Sequence, residues 1–343
     1  NLLLLILGAF FFFKYFAAKF NYSVESKDPI FKNLYAPIQY IDNINGVEIW
    51  IKREDLIHPE ISGNKWRKLK YHLQAFRKSD KTEILSFGGA FSNHIYALAA
   101  MGEKCGIKTK AIIRGEEVSN FTLSSCQEKG MELFKISRSE YKRREEPSYL
   151  RELAEKFPNA YIIPEGARGV LAMKGCTEIM ENVDQQFDII CCSAGTGTTF
   201  SGLLMNSKNA KCLMFPALKG GEFLKDDIKS LMGNYQKQFL TEGDGKKIEL
   251  ANFSLEENYH FGGYGKVDEV LIKFMNDFHQ SYGIPLDPIY TSKMLFGIMD
   301  KIKKKQIKPG TKVLCIHTGG LQGIRGMNER LQKKAWNTLN YEA

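Results

Sequence analysis

The chain has 343 residues, 43% of them hydrophobic and 25% charged, with a formal net charge of +9. This is an ordinary globular balance with room for about two domains and a sizeable core, so no metal or disulfide staple is required. The cations are spread along the chain in runs such as Lys303-Lys304-Lys305, without a recognisable nucleic-acid-binding module, so nucleic acid is not expected as a partner.

Residues 1–29 form an apolar N-terminal extension. Its unbroken run, Leu2 to Phe13, is short for a membrane span and lacks the basic lead of a signal peptide. A truncated signal or anchor, a misplaced start and an apolar helix that packs elsewhere all fit. The stretch is taken as dispensable to the fold, and no membrane role is expected unless it is a genuine anchor. The seven cysteines (105, 126, 176, 191, 192, 212 and 315) show no CxxC or zinc-like spacing. They read as reduced thiols of a cytoplasmic protein, with no metal site.

From Val47 the pattern alternates β and α. "VEIWIKRED" reads as a strand, and "NKWRKLKYHLQAFRKS" as a helix with Leu69, Leu73 and Phe76 on one face. "EILSFGG" is a buried strand. "SNHIYALAAMGEKCG" is a helix capped by Ser92 or Asn93 and closed at Gly106. "KTKAIIRG" is a strand, "TLSSCQEKG" starts a helix, and "MELFKIS" is a strand. "YKRREEPSYLRELAEKF" reads as one polar, exposed helix. "AYIIPEGA" is a strand and turn, and "GVLAMKGCTEIMENV" a helix. "FDIICCSAGTGTTFSGLLM" is strand, glycine-rich loop and helix, followed by the strand "KCLMFPAL". Residues 220–260 read as polar and irregular. Two helices follow, "DEVLIKFMNDFHQSYG" and "TSKMLFGIMDKIKKKQI", and "TKVLCIHTGG" is the closing strand. Repeated βα units argue for parallel sheets covered by helices on both faces.

Four stretches could carry chemistry. In "SGNKWRKL", Lys65, Arg67, Lys68 and Lys70 crowd a helix start whose dipole is already positive. A basic surface helix fits. So does an amine kept neutral for Schiff-base chemistry, since a nearby cation and a helix N-terminus both lower its pKa. "SFGGAFSNH" runs a strand into Gly88-Gly89 and a capped helix, suited either to a carboxylate or to a plain βα turn. "CCSAGTGTTFSGL" places glycines and hydroxyls at a helix start, a phosphate cradle that matches neither GxxxxGK[ST] nor GxGxxG. The late loops bring Tyr264, Tyr290 and Thr291, hydroxyls able to hold a proton near a substrate. Thr291 also suits a helix N-cap. His317-Thr318-Gly319-Gly320 is a further polar strand end, where ligands of open α/β sheets sit.

In order and content, "KREDL", "SGNKWRKL", "FGGAFSNH", "IPEG", "GTGTTFSG" and "IYTSKM" resemble the pyridoxal-phosphate enzymes of the 1-aminocyclopropane-1-carboxylate deaminase and D-cysteine desulfhydrase family. The resemblance spans most of the chain, from Val47 to Gly320. It implies the tryptophan-synthase-β-like fold, fold type II: two α/β domains, each a twisted, mostly parallel sheet flanked by helices. The larger would comprise residues 30–68 plus 172–343, and the smaller, 69–171, would be inserted in it. Pyridoxal 5'-phosphate would lie in the cleft between them, and the protein would be a homodimer acting on a small amino acid.

By the same resemblance, Lys65 would form the Schiff base with the cofactor, and Lys68 would lie near its phosphate. Gly195, Thr196, Gly197 and Thr198 would bind that phosphate through backbone N–H groups. Asn93 would hydrogen-bond the phenolic oxygen. Ser92 would sit next to the substrate carboxylate, with Tyr264 and Tyr290 about the substrate. Thr291 stands where the family's deaminases have a glutamate facing the pyridine nitrogen. A hydroxyl there can donate to a neutral nitrogen but does not protonate it, which weakens the electron sink. The expected reaction is α,β-elimination, D-cysteine giving pyruvate, ammonia and sulfide. The alternatives are deamination of aminocyclopropane carboxylate, racemisation or dehydration on the same fold, and cofactor binding without turnover.

Overall fold

The computed structural model describes residues 35–240 and 253–342, so the apolar N-terminal stretch lies outside the described residues. The first element is a hairpin of β1 (Ile38–Ile44) and β2 (Val47–Lys52), turned by Asn45 and Gly46 at φ 53° and 79°. Asn-Gly is favoured in two-residue hairpin loops because both positions need positive φ. The sequence reading began the fold at Val47 and missed β1, whose residues are at best half-buried and alternate weakly.

Then come α1 (Asn64–Arg77), β3 (Glu83–Gly89), α2 (Asn93–Cys105), β4 (Lys108–Arg114), α3 (Phe121–Glu128) and β5 (Glu132–Ile136). Ser92 caps α2, its Oγ accepting from the Ile95 N–H. The single helix expected next is two, α4 (Arg138–Lys142) and α5 (Pro147–Lys156). Pro147 keeps Glu146 extended, at φ −69° and ψ 129°, so the helix can only restart at the proline. Its exposure was also overestimated, for Tyr141, Tyr149 and Leu153 are buried.

β6 (Ala160–Ile162), α6 (Val170–Thr177), β7 (Ile189–Ala194), α7 (Thr198–Met205) and β8 (Lys211–Pro216) follow. The span read as irregular contains α8 (Leu224–Phe239) and β9 (Phe253–Leu255). Leu224, Ile228, Met232 and Tyr235 recur at helical spacing and are buried, a stripe diluted by the lysines and aspartates around it. The rest is α9 (Glu269–Tyr282), α10 (Thr291–Lys303), β10 (Lys312–Ile316) and α11 (Gly323–Gln332). Last in sequence, β10 is interior in space, between β2 and β7, and a helix follows it.

The larger sheet runs β1-β2-β10-β7-β8-β9, parallel except for β1, and the smaller runs β5-β4-β3-β6, parallel throughout. In the larger sheet Val313 and Cys315 face one core with Leu213, Phe215 and Leu295. Leu314 and Ile316 face the other, with Ile190, Cys192, Met214 and Phe200. Burial on both faces is why these strands read as unbroken apolar runs. Six of the seven cysteines are buried and pack as small hydrophobes. Among the described residues, no helix is long and apolar enough to cross a membrane.

A buried ion pair ties α1 to the end of β2. Glu54, fully buried, accepts from Arg67 Nε at 2.9 Å and from its other guanidinium arm at 3.1 Å. Removing one partner strands the other charge, so Glu54→Ala is expected to cost about 3–5 kcal/mol. The urea midpoint checks this, and an unchanged midpoint would show that Glu178, 3.5 Å from Arg67, is a sufficient partner.

Candidate active site

The cations that crowd the start of α1 are treated differently. Arg67 is held by Glu54, and Lys70 reaches Glu178 at 2.7 Å. Among the described residues, neither Lys65 nor Lys68 pairs with a carboxylate. Lys68 is 3% exposed, and its Nζ donates to the Gly166 carbonyl at 3.3 Å. Burial lowers its pKa. Burial, then the charge of Lys68, lowers Lys65 from 10.5 to about 7, with Cys176 and Asp287 opposing. Lys65 is therefore an amine half in its neutral form near pH 7, one turn from a buried cation.

Parallel strands deliver the other groups from their C-terminal ends. β3 ends at Gly89, ahead of Ser92 and Asn93. β7 ends at Ala194, and Gly195, Thr196, Gly197 and Thr198 lead into α7. Asn64, next to Lys65, donates to Thr199 Oγ1 at 2.8 Å, and its N–H donates to the Thr318 carbonyl at 3.2 Å. The start of α1 is thereby pinned to the first turn of α7 and to the loop after β10. A Cβ on Gly166 would lie 3.6 Å from the Thr196 methyl, which brings the Lys68 contact beside the same loop. Gly197 starts α7 at φ 71°, so the loop turns there with its N–H groups at the helix's positive end.

Opposite this loop stands the start of α10. A Cβ on Gly195 would be 3.2 Å from Tyr290 Oη, and Tyr290 Oη donates to Tyr264 Oη at 3.4 Å. Burial pushes the Tyr290 phenol well above its usual pKa, so it stays protonated. Asp287 caps the helix: its carboxylate accepts from the N–H groups of Ile289 (3.0 Å), Tyr290 (2.8 Å) and Thr291 (2.7 Å). Thr291 is therefore not the cap, and its hydroxyl, 0% exposed, has no hydrogen-bond partner among the described residues. A buried hydroxyl without a partner costs about 1–3 kcal/mol, which points to a partner supplied by a ligand.

Three residues of the site were missed in the sequence. Asp287 had a readable signal, since Asp-Pro ahead of a helix favours a cap or turn. Lys293 is buried and donates to the carbonyls of His260 and Gly263, each at 2.9 Å, and of Ala217 at 3.4 Å, tying the Tyr264 loop to the end of β8. Burial lowers its pKa to about 8. Gln322 donates to Asn93 Oδ1 across a separation no local pattern reveals.

Two mostly parallel sheets bring a lysine amine of lowered pKa and a glycine- and threonine-rich helix start to their strand ends, an arrangement of the α/β class that suits a lysine-bound, phosphorylated cofactor. The sequence profile of the family described as pyridoxal-phosphate dependent enzyme matches residues 33–319, and the chain belongs to that family. A Pyrococcus abyssi protein named putative 1-aminocyclopropane-1-carboxylate deaminase is 31% identical over 311 residues, covering 86% of this chain and 92% of that protein. The mitochondrial bifunctional D-cysteine desulfhydrase/1-aminocyclopropane-1-carboxylate deaminase of Arabidopsis thaliana is 27% identical, covering 82% of this chain and 74% of its own. A solved structure described as an ACC deaminase homologue superposes with a TM-score of 0.77 at 26% identity, covering 88% of this chain and 94% of that one. The fold is fold type II, and the cofactor is pyridoxal phosphate.

The residues present fit that cofactor. Lys65 has a primary amine of depressed pKa that would suit its aldehyde. Lys68 is buried and meets no carboxylate among the described residues, which would suit a phosphate. The 195–198 loop offers N–H groups at a helix start, and Thr291 offers an unpaired hydroxyl. Gly197→Val tests the cradle. A β-branched residue is strained at φ 71°, and its Cβ would meet Ile228 at 3.1 Å. Cofactor affinity is expected to fall about tenfold or more, the loss that 1–2 kcal/mol of strain in the loop would produce. Unchanged affinity in an absorbance titration would reduce the loop to a turn.

Proposed function

We propose that the enzyme catalyses α,β-elimination on a small D-amino acid, D-cysteine and water giving pyruvate, ammonia and sulfide. The observation that carries this is the Thr291 hydroxyl, buried and without a partner at the start of α10. It suits hydrogen bonding to a neutral ring nitrogen, and Thr291 itself brings no carboxylate to protonate one; the nearby Asp287 carboxylate is taken up by the N–H groups of Ile289, Tyr290 and Thr291. Bound pyridoxal phosphate supplies an electron sink for charge developing at the substrate Cα, and this weaker sink suits rapid loss of a good leaving group from Cβ.

The chain's own residues do the rest. Lys65 would hold the cofactor through its amine and, with that amine free, would take the Cα proton. An amine with a pKa of about 7 is a far better base at neutral pH than the Ser92 hydroxyl, the other candidate. Ser92 and the start of α2 hold the substrate carboxylate. Lys68 and residues 195–198 hold the phosphate, and the Asn93 amide nitrogen donates to the phenolic oxygen. Tyr290, kept protonated and adjoining Tyr264, donates a hydrogen bond to the departing sulfur without giving up its proton. A small domain of residues 69–171 inserted in a larger one of 30–68 plus 172–343 accords with the strand membership of the two sheets. A cytoplasmic homodimer is part of the same proposal.

The test is a panel of D- and L-amino acids and aminocyclopropane carboxylate, with keto acid and sulfide measured. Pyruvate and sulfide from D-cysteine are expected. A second reading, ring-opening deamination, draws on the name of the Pyrococcus relative. Its mark would be α-ketobutyrate without sulfide. Bound cofactor without any keto acid would leave only a binding protein.

A further inference from the structure

We propose that Gln322 sets the direction of the Asn93 amide, so that Asn93 presents a donor and not an acceptor to the phenolic oxygen of the cofactor. This rests on the reading of Asn93 given above. Gln322 lies where the loop after β10 enters α11, 229 positions from Asn93, and its Nε2–H donates to Asn93 Oδ1. An asparagine amide has an accepting end and a donating end, and either can be turned outward. With Oδ1 occupied by Gln322, Nδ2 must face the other way. Among the described residues no acceptor meets it.

The same loop limits the room around that amide. A Cβ on Gly320, at φ 94°, would lie 2.5 Å from Asn93 Nδ2 and 3.4 Å from Asp287 Cβ. Only a residue without a side chain lets the loop run this close. Asn93 is thus held on one side by backbone and at its oxygen by Gln322, which leaves an N–H of Nδ2 for a ligand. The phenolic oxygen of the cofactor is electron-rich and accepts it. A reversed amide would set Oδ1 against that oxygen, acceptor against acceptor, a loss of one hydrogen bond and a gain of repulsion. Gln322 acts through Asn93, so it is a positioning residue.

Two substitutions separate positioning from packing. Gln322→Glu offers only acceptors, so it draws the Asn93 N–H₂ toward itself and turns Oδ1 on the cofactor. Gln322→Ala leaves the amide free to choose. The cofactor Kd is expected to rise about tenfold in the Glu variant and about twofold in the Ala variant, in keeping with one lost hydrogen bond against a weakened preference. The balance between the absorbance bands of the bound cofactor should move in the same order, since the bands report protonation around the phenolic oxygen. In an Asn93→Ala background, Gln322→Glu should add nothing. A general electrostatic effect on the phosphate would persist there. Equal effects of Glu and Ala, or a Glu effect that survives in the Asn93→Ala background, would overturn the inference. If Asn93→Ala itself leaves affinity and bands unchanged, the reading of Asn93 fails instead.

Discussion

Lys65→Ala is expected to give a folded protein that borohydride can no longer link to its cofactor, with turnover lowered roughly a thousandfold or more, because the anchoring amine and the Cα base are lost together. Contacts to the phosphate should still retain some cofactor. Peptide mapping of the reduced natural protein should place the label on Lys65, and a label on Lys68 or Lys70 would overturn the assignment. The depressed pKa adds a test that needs no turnover. In cofactor-free protein, the reactivity of Lys65 toward an amine reagent should be half-maximal near pH 7 and not near 10.5. The sign for stability follows. Between about pH 7 and 10.5 the unfolded chain holds a proton at this site that the folded chain has lost, so stability rises with pH across that window. The penalty of burying the charged amine is complete below pH 7. Lys65→Met should therefore stabilise the cofactor-free protein most at pH 6, with the advantage shrinking as pH rises toward 10. An advantage that did not change with pH would mean the amine is well solvated.

How much of this could be read from the chain depended on the range of the interaction. β7, β8 and β10 were legible because burial on both faces leaves a continuous apolar run that no local feature contradicts. The Asn45-Gly46 turn was equally local and was passed over, because β1 beside it is too polar to read as a strand by itself. α8 was lost to its composition, and only its four buried positions, taken at helical spacing, betray it. In the site, the motif residues were legible and their electrostatics were not. Four cations stand at the start of α1, and nothing local says that Arg67 finds Glu54, 13 positions away, while Lys70 finds Glu178, 108 away. Once those partners are in place, Lys65 and Lys68 are the two left without carboxylates among the described residues, which is what the proposed cofactor site requires of them. The Gln322–Asn93 contact belongs with these, as a product of the tertiary fold alone.

Thr291→Glu should move the enzyme from elimination toward ring opening. The native hydroxyl is buried, unpaired and cannot protonate a ring nitrogen. A carboxylate in its place would favour the protonated ring, since an opposite charge within a few ångströms shifts a pKa by roughly one to three units. A protonated ring is a stronger electron sink, which stabilises charge at Cα and delays its expulsion through Cβ. D-cysteine turnover is therefore expected to fall about tenfold, one pKa unit's worth, while turnover of aminocyclopropane carboxylate rises from near zero. Two local effects bear on the new carboxylate and oppose each other. The N-terminus of α10 favours its charge, whereas Asp287, already bonded to the Thr291 N–H at 2.7 Å, repels it. Thr291→Val supplies the complementary measurement, because it removes the hydroxyl at nearly constant shape. Since that hydroxyl has no partner among the described residues, the cofactor-free valine variant should be no less stable than the natural protein, yet D-cysteine turnover should drop in the loaded enzyme. A valine variant of full activity would show that the hydroxyl has no part in the chemistry. If the natural protein opens the cyclopropane ring as fast as it desulfurates D-cysteine, the weaker-sink argument fails, and the deaminase reading takes its place.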